Sequence, residues 1–523
     1  MIGADRIDEL AAPFSGRRLP AKLAGFLLLL GALIATRLPL MPKYLITFDA
    51  INFALAVERF DPSLHQPQPP GYPAFVLLLR AIACFVPGIE AVFSVTALLS
   101  SWLALILVQW LGALMINEKA GWITALLLLF NPPFWLAALT NPIRLWLATG
   151  AVMAVIAVKL MERPALSVKA FYAAAIILGA ISGFRPVLPA LLLPVVALAA
   201  WRHRIRPLHW ILAGTVGAAA AAGWFAFTAA SVGGIEQYIQ VLLDYNQQQA
   251  EPTSLLYGAM PGAAVYMALQ AITWTGLGVL SWIWSVPFAR RTAPLLAKHD
   301  RWLLLVWFFP AFLFYATVHV GDPDHTLSII PVTCLLGAAV LLRAVSGKAP
   351  RVRFGVIAAA VVLNAFLFYK PISKVTKPAT YTPVAWLDGH IRTLIDGLLA
   401  AGTPGSVAAV FYEPTTGWRN LSYYCPNIPV LVIPGNVSRE QLAAWYMHDR
   451  RVRAAKVDDG AIVLPPVRRA VFVDMAERPI SASPALPVSC AGRLCTVQLK
   501  KSGEVRFHGF RFRITGSTRG QIR

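Results

Sequence analysis

From Ala24 to Tyr369 the chain is a succession of apolar runs, separated by short polar stretches that hold most of its Lys and Arg. A backbone crossing lipid must satisfy every N–H and C=O within itself, so runs of this kind are confined to helices. After a first run at Ala24–Ala35, they cover Ala74–Pro87, Ala91–Ile116, Ala120–Leu139, Leu145–Met161, Ala170–Ser182 and Val187–Trp201. Five more follow: His209–Ala230, Tyr266–Phe288, Trp302–Val318, Leu327–Leu342 and Phe354–Tyr369. With 57% hydrophobic and only 14% charged residues, the composition excludes a soluble globular domain. The fold class read from it is an α-helical polytopic membrane protein.

The net charge of +21 would suggest nucleic acid in a soluble protein. Here the basic residues sit at the ends of apolar runs, as cytoplasmic loops do under the positive-inside rule, so the expected surroundings are membrane lipids and no nucleic acid. Residues 1–22, with Arg17, Arg18 and Lys22, read as a cytoplasmic segment before a start-inside span without a cleavage site. Four clusters are assigned to the cytoplasm: Lys159/Arg163/Lys169, Arg202/Arg204/Arg206, Arg290/Arg291/Lys298/Arg301 and Arg343/Lys348/Arg351/Arg353. Counting spans between them makes Ala170–Ser182 and Val187–Trp201 a pair of short helices with Gly183–Pro186 at the outer tip. The segment after Pro73 is too short for a full span and carries Arg80, which makes it re-entrant or interfacial. About eleven crossings result, in a membrane domain of residues 23–370 whose first outer loop is 39–73. The loops Asn131–Arg144, Ser231–Val265 and Gly321–His325 face the same outer side.

Residues 371–523 are a different kind of polypeptide and read as an α/β domain outside the cytoplasm. Ser406–Tyr412, Pro429–Pro434 and Arg469–Met475 have the pattern of short strands, and Thr496–Ile514 that of paired strands. Ser438–His448 has a helical pattern opened by a capping box, Ser438 with Gln441. Cys490 and Cys495 fit a disulfide outside the cytoplasm and equally two unpaired thiols, because spacing does not place their Cα atoms. The five cysteines form no metal pattern.

The polar residues that stand out lie at the outer edge of the membrane runs: Asp49, Glu58, His65, Arg144, Arg185, Tyr245, Asp322, Asp324 and His325. Ionisable groups at such positions are functional candidates, since burying a charge there is costly unless it is paired. The opening loop ends in His65-Gln66-Pro67-Gln68-Pro69-Pro70-Gly71-Tyr72-Pro73. A basic N-terminus, one span, an outer loop with an early aspartate and this motif resemble the integral-membrane GT-C glycosyltransferases, which include the protein mannosyltransferases and the lipid A aminoarabinose transferases. Gly179–Pro194, with a short helical pair broken near an arginine, and His319–Pro331 extend the resemblance over about residues 20–370. Two departures stand out. The second outer loop has Thr140-Asn141-Pro142-Ile143-Arg144 in place of the acidic residues of oligosaccharyltransferase-like members, so no metal and no other cofactor is expected. Asp324-His325 replaces an Arg-Tyr pair.

The resemblance implies a polyprenyl-phosphate sugar donor, a glycan, lipid or protein acceptor, and the inner (plasma) membrane as location. The chemistry of such a transfer needs a base for the acceptor hydroxyl and cations for the leaving phosphate. Asp49 is the expected base, with its pKa raised at the bilayer edge before an amphipathic helix, Ala50–Arg59, lying on the membrane. Glu58 and Asp61 read as solvent-facing partners of Arg59. Arg144 and Arg185 are the expected phosphate ligands, because guanidinium offers a planar donor fork. His65 and Tyr72 of the motif, His325 in protonated form, and Tyr245 in the long loop Ser231–Gly262, which has the character of a lid, complete the substrate-binding set. A transporter or flippase for a lipid-linked sugar and a non-catalytic scaffold are the alternatives. The first lacks the repeated halves and midplane charges such proteins carry.

Overall fold

The structure is a computed structural model. It describes residues 19–514 apart from 251–253, 255–257, 290–295, 413–415, 434–443, 449–450, 474–479, 485, 492–493 and 500–501. The basic residues Arg17, Arg18, Arg290 and Arg291 and the proposed capping box at Ser438 lie outside the described residues. The chain divides into two compact units, residues 1–42 with 52–384, and residues 43–51 with 385–523.

The first unit is helical: α1 Leu19–Arg37, α2 Phe48–Glu58 (which begins in the second unit), α3 Pro73–Ala83, α4 Ile89–Met115, α5 Glu118–Leu129, α6 Pro132–Thr140, α7 Leu145–Leu160 and α8 Ser167–Ser182. Then come α9 Val187–Arg202, α10 Pro207–Ser231, α11 Ile235–Ala250, α12 Pro261–Leu280, α13 Lys298–Thr317, α14 Ile330–Ala344 and α15 Pro350–Tyr369. Six described helices are long and apolar enough to cross a membrane, or seven if α5 and α6, bent by 55° at their junction, make one broken span. This is a multi-pass membrane protein. The segment after Pro73 is indeed too short for a simple crossing, with 11 helical residues. Its Arg80 donates to the carbonyls of Ala56 and Val57, both at 2.9 Å, and so caps the end of α2. The break between α5 and α6 is held by Arg37, whose guanidinium bonds the Leu129 carbonyl and lies 4.1 Å over the Trp135 ring.

Glycines set the closest helix crossings. A Cβ on Gly121 would run into the Gln109 carbonyl where α5 meets α4, and one on Gly179 into the Gly217 carbonyl where α8 meets α10. Small residues at such points let backbones approach where no hydrophobic gain drives association. One sequence expectation is corrected here. The helix after Asp49 is not amphipathic, because Ala50 to Ala56 are buried without exception, Asn52 included. It is a core helix and not one lying on a lipid surface. Asp61 likewise faces inward, half the ion pair with Arg59 (2.9 Å) but itself 8% exposed.

The second unit is built on a seven-stranded sheet of order β4-β3-β2-β1-β7-β10-β9. Its centre is parallel: β1 (Val407–Tyr412) pairs with β2 (Val430–Ile433) on one side and β7 (Arg469–Val473) on the other. The period-2 alternation of β1 sends Val407, Ala409 and Phe411 to one face, packed against Ile391, Leu394 and Leu398 of helix α16 (Tyr381–Ala401). Ala408 and Val410 face the other way, into a core shared with Val505, Phe507, Phe512 and Ile514 of a second, five-stranded sheet. The strands expected at 406–412, 429–434, 469–475 and 496–514 are thus present over their described parts. The expected helix is not: its described end, Trp445–His448, is strand β3, paired antiparallel with β2 and with β4 (Arg451–Ala454). Cys490 and Cys495 form a disulfide between the paired strands β9 (Val488–Ala491) and β10 (Leu494–Gln498).

Candidate functional site

In the first unit three chain breaks converge. The first follows α6, which Asn131 opens by accepting the Phe134 N–H at 3.4 Å. Asn141-Pro142 ends it, and a single 3-10 turn, Pro142–Arg144, leads into α7. The second is the turn Gly183–Pro186 between α8 and α9, stapled by the stacking of Phe184 on Trp146 at 3.9 Å. The third is the 3-10 segment Pro323–Ser328 between α13 and α14, held at its end by Tyr315 (2.8 Å to the Ser328 hydroxyl) and Trp307 (2.8 Å to the Ser328 carbonyl). Proline at each break prevents the helix from continuing and leaves side chains, not backbone, pointing into the gap.

Arg144 and Arg185 meet here, 6% and 5% exposed. Arg144 bonds Nε2 of His325 and approaches two carboxylates, Asp324 at 3.7 Å and Asp322 at 3.8 Å. Arg185 has no such counterpart. Its guanidinium lies 5.5 Å over the Tyr72 ring, and it makes no hydrogen bond or ion pair among the described residues. Burial, and after it the charge of Arg144, lowers its pKa from the ordinary arginine value. A buried guanidinium in this state is a donor fork without an acceptor, the arrangement that receives an anionic ligand.

The expectation of a protonated His325 is overturned. Burial comes first, then Arg144 and Arg185, and together they hold its pKa well below 6.5, so the ring is neutral at pH 7. Nε2 faces the Arg144 guanidinium, which can only donate, while Nδ1 lies 3.0 Å from the Asp322 backbone nitrogen, the second half of a capping box, and 3.2 Å from the Asp322 carbonyl. His325 therefore orients Arg144 instead of adding a charge. His319, 5.7 Å ring to ring from His325, is lowered in the same way, by burial and then Arg144.

Tyr72 belongs to the same group. It is the N-cap of α3 in the left-handed region (φ 46°), preceded by Gly71 at φ 102°, and the Ala74 N–H bonds the Gly183 carbonyl at 3.0 Å, joining the motif to the Arg185 turn. His65 and Tyr245 form a pair of their own, with edge-on rings 5.7 Å apart. Half of the long loop that carries Tyr245 is helix α11, anchored by the Tyr238 hydroxyl on the Pro70 carbonyl at 2.7 Å. Asp49, half-buried in the first turn of α2, belongs to the second unit, where the adjacent Phe48 packs on Trp418 at 5.4 Å.

Sequence reasoning did not assign roles to Asp324, His319, Tyr315 or Ser328. Asp324, His319 and Ser328 lie in the stretch His319–Pro331 already singled out. Tyr315 is signalled only by being a hydroxyl in an apolar helix. Asp322, Asp324 and His325 offer ligand atoms within 4.8 Å of one another, a spacing compatible with a cation, but Arg144 already faces all three. This chain fills that place with its own guanidinium.

No family model matches the chain, and no curated protein matches it. The fold is similar to two crystal structures of ArnT from Cupriavidus metallidurans. With the form bound to undecaprenyl phosphate the TM-score is 0.57 and the identity 14%, over 92% of this chain and 98% of that one. With the apo form they are 0.56 and 15%, over 91% and 98%. An apo oligosaccharyltransferase from Archaeoglobus fulgidus aligns with a TM-score of 0.40 at 13% identity, over 78% of this chain and 63% of that one. The chain thus has the fold of ArnT.

Proposed function

We propose that this protein is a membrane glycosyltransferase that moves a sugar from a polyprenyl-phosphate donor to an acceptor hydroxyl at the outer face of the cytoplasmic membrane. The acceptor oxygen attacks the anomeric carbon as Asp49 takes its proton. The bond from that carbon to the phosphate oxygen breaks, and its electron pair leaves with the polyprenyl phosphate. No sugar becomes attached to the enzyme, so the configuration inverts and one carboxylate suffices. Arg185 receives the leaving phosphate, with Arg144 held in position by His325 and Asp324. Tyr72 fixes the Arg185 side chain by its ring face.

The observation that carries this reading is Arg185, buried and without a hydrogen bond or ion pair among the described residues. The likeness to a transferase crystallised with undecaprenyl phosphate supports the choice of ligand. The test compares binding of undecaprenyl phosphate and of undecaprenol to the purified protein in nanodiscs. The phosphate form should bind far more tightly, and Arg185→Met should remove that preference. Equal binding of the alcohol, or an unchanged preference in the variant, would refute the proposal.

A further inference from the structure

Helices α7 and α8 carry the site at one end only: Arg144 precedes α7 and Arg185 follows α8. Each has 16 residues, a rise of about 24 Å at 1.5 Å per residue. At their far ends lies a separate cavity of about 480 Å³, lined by Glu162, Ser167, His203, Arg204, Arg206 and His209. Its residues come from the loops whose basic character assigns them to the cytoplasmic side.

Four features give this cavity a positive interior. Arg204 and Arg206 have guanidinium groups with no hydrogen bond or ion pair among the described residues. The one carboxylate in the wall, Glu162, is already engaged by Lys159 at 2.7 Å and lies 3.2 Å from His299. The helices α8 and α10 both start here, with Ser167 at one N-terminus and Arg206 and His209 at the other. They run side by side through the Gly179–Gly217 crossing, so both N-termini face the same end. The first turn of α8 offers the N–H groups of Ser167 and Val168, whereas that of α10 opens with Pro207 and its His209 N–H is taken by the Arg206 carbonyl at 2.9 Å. His209 accepts or donates at Nδ1 to the Tyr172 hydroxyl at 3.0 Å, which leaves its other nitrogen for a ligand. Close to the wall residues in the chain, Trp201, Leu208 and Ile211 are apolar and exposed, at 74%, 62% and 66%, as residues at the head-group level of a bilayer are.

We propose that this cavity binds a phosphate ester, held by Arg204, Arg206 and the N-terminus of α8, independently of the sugar-transfer site. The phosphate belongs either to an anionic phospholipid head group or to a soluble compound. The test uses the full chain. Native mass spectrometry measures retention of phosphatidylglycerol against phosphatidylcholine, and thermal unfolding is followed with inorganic phosphate against chloride at equal ionic strength. Phosphatidylglycerol retention assigns the lipid source, and stabilisation by inorganic phosphate alone the soluble one. The doubly substituted Arg204→Gln/Arg206→Gln chain should bind about 30-fold more weakly, at about a factor of five per arginine. Both side chains are exposed, so folding is not at stake. Arg202→Gln removes a charge two residues before Arg204, outside the cavity wall, and should leave binding unchanged. Equal loss in Arg202→Gln and Arg204→Gln, unaltered binding in the double variant, or no preference for either phosphate probe would overturn the proposal.

Discussion

Replacing Arg185 by methionine separates a ligand-binding arginine from a structural one, because the two roles predict opposite signs for stability. The side chain is 5% exposed and makes no hydrogen bond or ion pair among the described residues. Substituting a buried charge with an apolar group of similar volume is neutral or stabilising by about 1–4 kcal/mol. The cation–π contact with Tyr72 offsets about 0.5–2 kcal/mol of that gain. The melting temperature of the ligand-free protein should therefore hold or rise. Turnover should fall, since two charge-assisted hydrogen bonds at about 1.5 kcal/mol each come to about 3 kcal/mol, or roughly 150-fold in donor affinity. Arg185→Lys keeps the charge but not the fork, and one lost bond predicts about a tenfold defect. The assay pairs thermal unfolding in detergent with single-turnover release of polyprenyl phosphate. A methionine variant that melts several degrees lower, or a lysine variant with native donor kinetics, would make Arg185 a structural anchor and refute the reasoning.

Asp49→Asn keeps size and shape but cannot take a proton, so turnover should drop about 10²-fold or more with lipid binding intact; near-native turnover would shift attention to Glu58. Arg80→Met should destabilise the first unit by about 3 kcal/mol, the sum of two charge-assisted bonds at about 1.5 each, measured by chemical unfolding in mixed micelles. His325, with a folded pKa well below 6.5, contributes stability that is fully present above that pH. This stability is lost as pH falls from 6.5 towards the folded value, at most about 1.4 kcal/mol per pH unit for one proton, and His325→Gln should flatten the slope in melts from pH 7 to pH 5. An alkaline phosphatase fused after Arg523 should be active, because the C-terminal domain is proposed to lie outside the cytoplasm; an inactive fusion with an active cytoplasmic reporter would reverse the topology.

Apolar runs and prolines made the helices and their breaks legible, since both act through local backbone chemistry. The misreadings share a non-local cause. Ala50 to Arg59 read as an amphipathic surface helix, yet Ala50 to Ala56 are all buried. Trp445–His448 has a helical spacing, but β2 and β4 on its two flanks make it a strand. His325 invited a positive charge by its residue type, and the group that forbids it, Arg144, stands 181 positions earlier in the chain. The arginines themselves were found because a charge at the outer edge of an apolar run is costly unless paired, and a guanidinium fork suits a phosphate. Their company of Tyr315 and Ser328 was not, because nothing in the order of residues brings three separate turns together.

The crossing of α8 and α10 also bears on how the protein is made. At 16 residues each, α8 and α9 fall short of the roughly 20 that lipid requires of a lone span, and their shared turn carries Arg185. Such a hairpin has little tendency to settle in a bilayer by itself. The 25-residue α10 follows immediately, and its Gly217 is where α8 gains its closest neighbour. The expected outcome is that the hairpin integrates only together with α10, and a chain truncated before Pro207 in a membrane-integration assay checks it. A bulky residue at Gly179 would be felt first as a failure of membrane integration and degradation of the nascent chain.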